Sequence, residues 1–391
     1  MKIKQIPEDF VVEEIPAIHL KKKGKFSVYK LKKTNMDLIA SRRTIAKKLK
    51  ISQKLISHAG IKDKIAVTTQ YVAIKTDRGR KGSFILRTIS LEHVGFIDQP
   101  LKSGDLEGNK FTITIRDMTD EEIKKVKANM EKLIRNGFAN YFDSQRFGED
   151  LSIGGFIAKR LMKNDYENAL RLFLASANNK SEDKNKAHAF MHKNWTKWDK
   201  CSEFLATIER VDEEKRIIHF LQQNPKSFMQ AFKHIHHQKK ELLVSSYQSF
   251  LWNKCLSQLI KNNLTDLLEL EYKPGKLFFY KDITKEKLEY MNAKEIPMVD
   301  TKTQIKDKEI NEILAKILEK ENITQKELKV NKMGNLFFKE RKRDVIIFPE
   351  DLKVVGEQED TLNPGKKALT ISFSLKKGAY ATLVTKLLEK L

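Results

Sequence analysis

The chain has 391 residues, 40% of them hydrophobic, and carries 75 Lys+Arg against 52 Asp+Glu, a formal charge of +23. That length suggests about two to three domains with apolar cores, and 16 Gly and 8 Pro exclude a collagen-like or low-complexity chain. No stretch approaches the ~18 apolar residues of a membrane span, the basic residues are spread among periodic apolar ones instead of forming a tail, and Met1-Lys2-Ile3-Lys4-Gln5 begins no secretory signal.

In chain order, Asp9–Ile15 (DFVVEEI) and Phe26–Lys32 (FSVYKLK) read as strands. Thr34 or Asn35 then caps a helix to about Lys50, with Ile39, Ala46 and Leu49 on one side. Ala66–Ile74 and Ser83–Ile89, rich in β-branched residues, read as strands divided by the turn-like Asp77-Arg78-Gly79-Arg80. Lys110–Arg116 (KFTITIR) alternates Phe111, Ile113 and Ile115 with Thr112, Thr114 and Arg116, the pattern of a half-buried strand. Thr119-Asp120-Glu121-Glu122 fits a capping box, and Ile123, Val126, Met130 and Leu133 follow at helical spacing to a stop at Gly137. From about Glu149 to Glu340 the pattern is mostly helical and lysine-rich, with a polar loop at Ala175–Ala187 and amphipathic helices over Ser245–Ile260 and around Ile310, Ile313, Leu314 and Ile317. Strand character returns at Asp344–Phe348 and Ile371–Leu375, and a last helix carries Leu383, Val384, Leu387 and Leu388. This order predicts a β-rich core interrupted by a more helical insertion, with no internal repeat.

The two cysteines, Cys201 and Cys255, make no disulfide framework and point to the cytoplasm. Cys255, beside Leu256 in a helical pattern, reads as a small buried apolar residue. Positive charge spread over a folded chain points to a polyanion, nucleic acid before a membrane surface, since no isolated basic amphipathic helix stands out. No G-x-x-x-x-G-K-[ST], H-E-x-x-H or C-x-x-C occurs, so P-loop and zinc chemistry lack support. His234, His236 and His237 in HIHHQKK read as a basic helix face before a metal site, and Lys339–Arg343 as a solvated linker or a phosphate contact.

Two segments carry more polar detail than packing requires. Gly60–Gln70 (GIKDKIAVTTQ) sets Asp63 after a glycine turn, between Lys62 and Lys64, just ahead of a strand. A lone loop Asp is ordinarily a cap or solvent-facing. Here flanking cations favour the ionised form and a rigid junction positions it, as a nucleophile or base requires. Asn140–Gly148 (NYFDSQRFG) gathers three aromatics with Asn, Gln and Arg. That is either a buried core turn or a platform that stacks a base and bonds its edge.

In these and four further segments the chain resembles the TruD family of tRNA pseudouridine synthases, in its archaeal form. The resemblance rests on Pro7-Glu8-Asp9-Phe10, Gly60–Gln70, Gly108-Asn109-Lys110-Phe111 and Asn140–Gly148, joined by Ser246–Asn253 (SYQSFLWN) and Gly378-Ala379-Tyr380-Ala381-Thr382. Each is weak alone; six in the family's order across the chain are specific. Two departures are Asp143, where the family commonly has Gly, and Gly24-Lys25-Phe26 in place of Gly-x-His.

The resemblance implies an α+β fold. A catalytic core over 1–148 and 341–391 holds a mixed, largely antiparallel sheet flanked by helices, and a mainly helical α/β TRUD domain is inserted at 149–340. It implies a cytoplasmic isomerase that turns uridine into pseudouridine, at position 13 of tRNA. It has no membrane association, no metal or other cofactor and no obligate protein partner, and works as a monomer. Asp63 falls at the family's nucleophile, and Lys4, three positions before Pro7, at the basic residue that pairs with it. Phe10, Asn109 and Phe147 fall at positions that bind the target nucleotide, and Phe111 packs near the base. Stacking on Phe10 and Phe147 is expected to be independent of the Lys4–Asp63 pair. Attack on C1′, proton abstraction to a glycal, and addition at C6 all remain open for Asp63. The alternatives are the same reaction on another RNA, and a silent RNA-binding relative, which would be expected to lose Asp63 or Lys4.

Overall fold

A computed structural model describes residues 1–75, 82–102, 104–148, 155–175, 181–330, 333, 336, 338–339 and 341–391; the expected turn at Asp77–Arg80 lies outside them. A 3-10 turn at Pro7–Asp9 leads into β1 (Phe10–Pro16), followed by β2 (Phe26–Thr34), α1 (Leu38–Leu49), β3 (Ile56–His58), β4 (Val67–Lys75), β5 (Phe84–Leu86), β6 (Ile89–Ile97), β7 (Leu106–Met118) and α2 (Asp120–Asn136). After β8 (Phe138–Ala139) come α3 (Ile157–Met162), α4 (Tyr166–Leu174), α5 (Glu182–Lys193), α6 (Trp198–Ala206), α7 (Asp212–Gln223), α8 (Phe228–Lys233) and α9 (His237–Asn263). Then follow β9 (Leu267–Tyr272), β10 (Gly275–Tyr280), α10 (Lys285–Asn292), β11 (Glu295–Met298), α11 (Lys308–Lys320) and β12 (Arg341–Asp344). The chain closes with β13 (Ile346–Ile347), β14 (Glu350–Glu359), β15 (Lys367–Lys376) and α12 (Ala381–Lys390). Two compact units result, Met1–Phe138 with Ile347–Leu391, and Ala139–Ile346.

The first unit is built on a nine-stranded sheet in the order β14-β15-β7-β1-β4-β2-β6-β5, with β3 paired to β4. Every pairing is antiparallel except β1 with β4, where Val11 lies opposite Val67. That one parallel pair matters for the site: the segments that precede β1 and β4 arrive at the same end of the sheet, although some sixty residues separate them. α1 covers a core of Tyr29, Leu31, Leu38, Ile45, Val72 and Leu91, and α2 meets α12 through the Asn129 amide, which donates to the Leu388 carbonyl at 3.0 Å.

Several local expectations change. Asp37 caps α1, accepting from the Ala40 amide at 2.7 Å. The helix therefore buries Leu38, Ser41, Ile45 and Ala46 and leaves Ile39 exposed. Ser83–Ile89 contains only the short β5 and turns directly into β6. Arg116, expected on the polar face of β7, is buried. β14 escapes the pattern because it is an acidic edge strand exposed along almost its whole length.

The second unit centres on α9, which buries Tyr247, Leu251, Trp252, Cys255, Leu256 and Leu259 together with polar Gln248, Ser249, Asn253 and Ser257. The hairpin β9–β10 and the pair β11–β12 accompany it. The end of the expected polar loop at Ala175–Ala187 is the start of α5, capped by Ser181. His234 ends α8 and His236 precedes α9, so the HIHH run is a turn between helices. Lys339–Arg343 is no linker throughout: Arg341–Asp344 pairs with β11, and Arg343 donates to the Asn140 carbonyl at 2.8 Å and to its side-chain oxygen at 2.7 Å. Among the described residues no helix is long and apolar enough to cross a membrane.

Candidate active site

The parallel pairing of β1 and β4 brings Lys4 and Asp63 together. Lys4 precedes β1, Asp63 precedes β4, and Lys4 Nζ lies 2.8 Å from Asp63 Oδ2. The pair is partly accessible, with 21% of the lysine side chain and 32% of the aspartate side chain exposed. Lys4 Nζ also sits 3.7 Å from the centre of the Phe10 ring. Phe10 packs edge-on to Phe111 at 6.1 Å, and Phe111 stacks on Phe373 of β15 at 5.5 Å. Phe10 and Phe111 are buried, so one ammonium touches both the carboxylate and the packed aromatic cluster beneath it, and the expected independence of Phe10 from the Lys4–Asp63 pair does not hold.

The backbone at Lys4 is held in the left-handed region, φ 58°, which costs a non-glycine residue about 1 kcal/mol or more and persists only where its surroundings impose it. They do so from both sides. Lys2 and Arg116 exchange backbone hydrogen bonds at 2.8 Å. On the other side Asp9 accepts from the Ile6 amide at 3.1 Å and from Arg116 Nε at 2.7 Å. Arg116 reaches on to Asp360 Oδ1 at 2.8 Å. Burial opposes ionisation of Asp360, but hydrogen bonds from the Asp117 and Leu362 amides, Asn363 and Arg116 hold its carboxyl well below the usual range.

The cations around Asp63 are not its sequence neighbours. Lys62 turns inward to Glu14, 2.9 Å away, both side chains buried. Lys33 on β2 approaches from the core instead: fully buried, it donates to the Asp63 main-chain carbonyl at 2.8 Å and to the Met36 carbonyl at 2.7 Å. Burial pushes its pKa down to about 8, against the attraction of Asp63 and Asp37 and with the repulsion of Lys62. Sequence reasoning missed Lys33 and Arg116. For Lys33 the signal was its place in the alternating row Tyr29, Leu31, Lys33, where the core calls for an apolar side chain.

Asn109 lies on β7 opposite Glu14 of β1 and Leu375 of β15. Its carboxamide oxygen is buried and accepts no hydrogen bond among the described residues, an acceptor left open at real cost unless something fills it. Phe147 belongs to the second unit. There it is 3% exposed and edge-on to Tyr272 at 5.4 Å and Phe156 at 6.4 Å. In its own unit it reads as packing and not as an open platform. Tyr141 and Phe142 of the same segment are buried too.

The polar residues of Ser246–Asn253 tie loops of the second unit to α9. Asn253 accepts from the Phe142 amide at 2.9 Å and donates to its carbonyl at 2.8 Å. Gln248 donates to the Val299 and Lys339 carbonyls, and Trp252 to that of Ile296. Ser249 accepts from Arg146 at 2.9 Å. No group of three or more His, Cys, Asp or Glu among the described residues is placed to hold a metal.

Comparison with known proteins places the whole chain in one family. The family model described as tRNA pseudouridine synthase D (TruD) matches residues 1–388. The chain is 36% identical over 393 residues to a Methanocaldococcus jannaschii protein named probable tRNA pseudouridine synthase D 2, covering 99% of this chain and 91% of that one. It is 31% identical over 390 residues to the Aquifex aeolicus tRNA pseudouridine synthase D, covering 98% and 97%. A Methanosarcina mazei crystal structure carrying the family name TruD superposes with a TM-score of 0.70 at 26% identity, covering 100% of this chain and 93% of that one. The chain belongs to the tRNA pseudouridine synthase D (TruD) family.

Proposed function

We propose that this protein isomerises uridine to pseudouridine in tRNA, at position 13, acting as a cytoplasmic monomer, with Asp63 as the reacting carboxylate. We assign the catalytic domain to Met1–Phe138 with Ile347–Leu391 and the inserted TRUD domain to Ala139–Ile346, in place of bounds at 148 and 341. The observation that carries the reading is the Lys4–Asp63 pair set over Phe10 at the head of the two parallel strands.

The chemistry balances within the substrate. The N1–C1′ bond breaks, a C5–C1′ bond forms, and one proton leaves C5 while one is gained at N1, with no change of oxidation state. A carboxylate can serve this as nucleophile at C1′, as base toward a glycal, or by adding at C6. Lys4 places a cation beside the carboxylate and aims one oxygen. The base must leave its stack to reach Asp63, at a cost of a few kcal/mol. Stacking on an aromatic side chain returns ~1–3 kcal/mol per base, and the open acceptor of Asn109 suits a ring N–H or a ribose hydroxyl. The test is to map pseudouridine in tRNA from cells with and without the gene, and in a tRNA transcript treated with the purified protein. Unmodified transcript after treatment with the folded protein refutes the assignment.

A further inference from the structure

Resting on that reading, we infer that Lys33 is a positioning residue for the reaction: by holding the main-chain carbonyl of Asp63 from below, it fixes where the carboxylate stands against the bound uridine. Lys4 and Lys33 grip the same residue at different atoms. Lys4 takes the side-chain oxygen at 2.8 Å from the solvent side, and Lys33 takes the backbone oxygen at 2.8 Å from the core side. The second acceptor of Lys33, the Met36 carbonyl at 2.7 Å, lies in the turn between β2 and α1. One ammonium therefore ties the Asp63 loop to a turn at the end of an internal strand.

The cost of this arrangement argues for its use. A lysine with no exposed surface stands at a position of β2 flanked by β4 and β6, opposite Thr68 and Ile89. Burying an ammonium is unfavourable, and a hydrophobic residue of similar volume is commonly neutral or better at such sites. Folding alone gives little reason for a charge there, whereas a loop that must present a carboxylate to within a fraction of an ångström gives a strong one. The charged groups that face it are Asp63, Asp37 and Lys62.

The experiment is Lys33→Met, which keeps the stem and removes the charge and the donor, with Lys33→Gln as a second variant that keeps a neutral N–H. Single-turnover rates at saturating tRNA, half-saturating tRNA concentration and thermal midpoint are measured for both and for the wild type. The expected result is a rate lower by about a hundredfold, the scale of an ångström of misplacement, half-saturation within about threefold, and a midpoint equal to or above that of the wild type. A lysine that serves folding alone gives the reverse pattern: a lower midpoint and an unchanged rate per folded molecule. If Lys33→Met does not fold, Lys33→Gln decides the matter on the same measurements. A folded variant of either kind with the wild-type rate overturns the role of Lys33 and leaves the proposed activity standing. Absence of pseudouridine with the wild type overturns the activity itself, and the inference with it.

Discussion

Lys4 lies across the face of Phe10, its ammonium 3.7 Å from the ring centre. The contact sets the same cation against the carboxylate and against a ring that is itself buried, so the charge beside Asp63 also covers the face of Phe10. Lys4→Met removes both at once. The expected outcome is a single-turnover rate at least about a hundredfold lower, together with a changed affinity for the target RNA. Lys4→Arg is expected to retain part of the rate, because a planar fork cannot occupy the place of a compact ammonium without moving the carboxylate. Kinetics of both variants across pH provide the check; wild-type behaviour of Lys4→Met would remove Lys4 from the mechanism.

Asp63→Asn keeps the size of the side chain and loses its charge. Turnover is expected to vanish while RNA affinity stays within about threefold, since an amide neither attacks C1′ nor takes a proton. Tritium release from tRNA labelled at uridine C5 reads the first quantity, and filter binding the second. Measurable release near the wild-type rate would refute the role of the carboxylate.

Arg116 joins Asp9 to Asp360 in the interior. Arg116→Met leaves two buried carboxylates without their cation, a loss expected at about 3–5 kcal/mol, seen as a lower urea midpoint. The carboxyl of Asp360 is held well below its usual range. Its contribution to stability is therefore complete above the ordinary carboxylate pKa of about 4 and is lost as pH falls below that. Asp360→Asn should flatten the acid limb of the stability curve; an unchanged limb would assign acid sensitivity to other groups.

Lys33 is shifted in the same direction, but for a cation that shift costs stability at neutral pH. Its folded pKa, about 8, lies below its ordinary value of 10.5. Between those two the unfolded chain binds the extra proton, so stability rises with pH through that window. The rise should disappear in Lys33→Met, as urea denaturation at pH 7, 9 and 10.5 would show.

With a formal charge of +23, binding to tRNA should release counterions, and log affinity should fall linearly with log salt. For about six neutralised phosphates the slope is near −4 to −5. A flat response would exclude an electrostatic RNA surface.

Much of this was legible in the sequence because it is local. The alternation through Phe111, Ile113 and Ile115 and the Thr119 capping box needed no knowledge of distant residues, and the folded chain has both. Asp63 stood out through its flanking charges, though for the wrong reason, since Lys62 turns away to Glu14. What could not be read was long-range pairing. Nothing near Lys33 announces that Asp63 will lie above it, and Arg116 follows a strand pattern that promises exposure. The departure at Asp143 is equally opaque from sequence; folded, its side chain accepts from the Ser144 amide at 2.7 Å at the start of a 3-10 turn.

The ring series Phe10, Phe111, Phe373 takes one member from each of β1, β7 and β15. A ribosome makes these strands in that order, with the inserted unit between the second and the third. Lys4 and Asp63 are therefore synthesised long before the strand that completes the floor beneath them. Until Lys367–Lys376 emerges, β7 presents an unpaired edge, the kind of surface that invites pairing with other chains. Proteins of this length acquire structure piece by piece as they are made, so the helical insertion can fold while the sheet waits. A nascent chain halted short of β15 would carry every reacting group proposed here on an unfinished floor, and it would depend on chaperones to keep that edge covered.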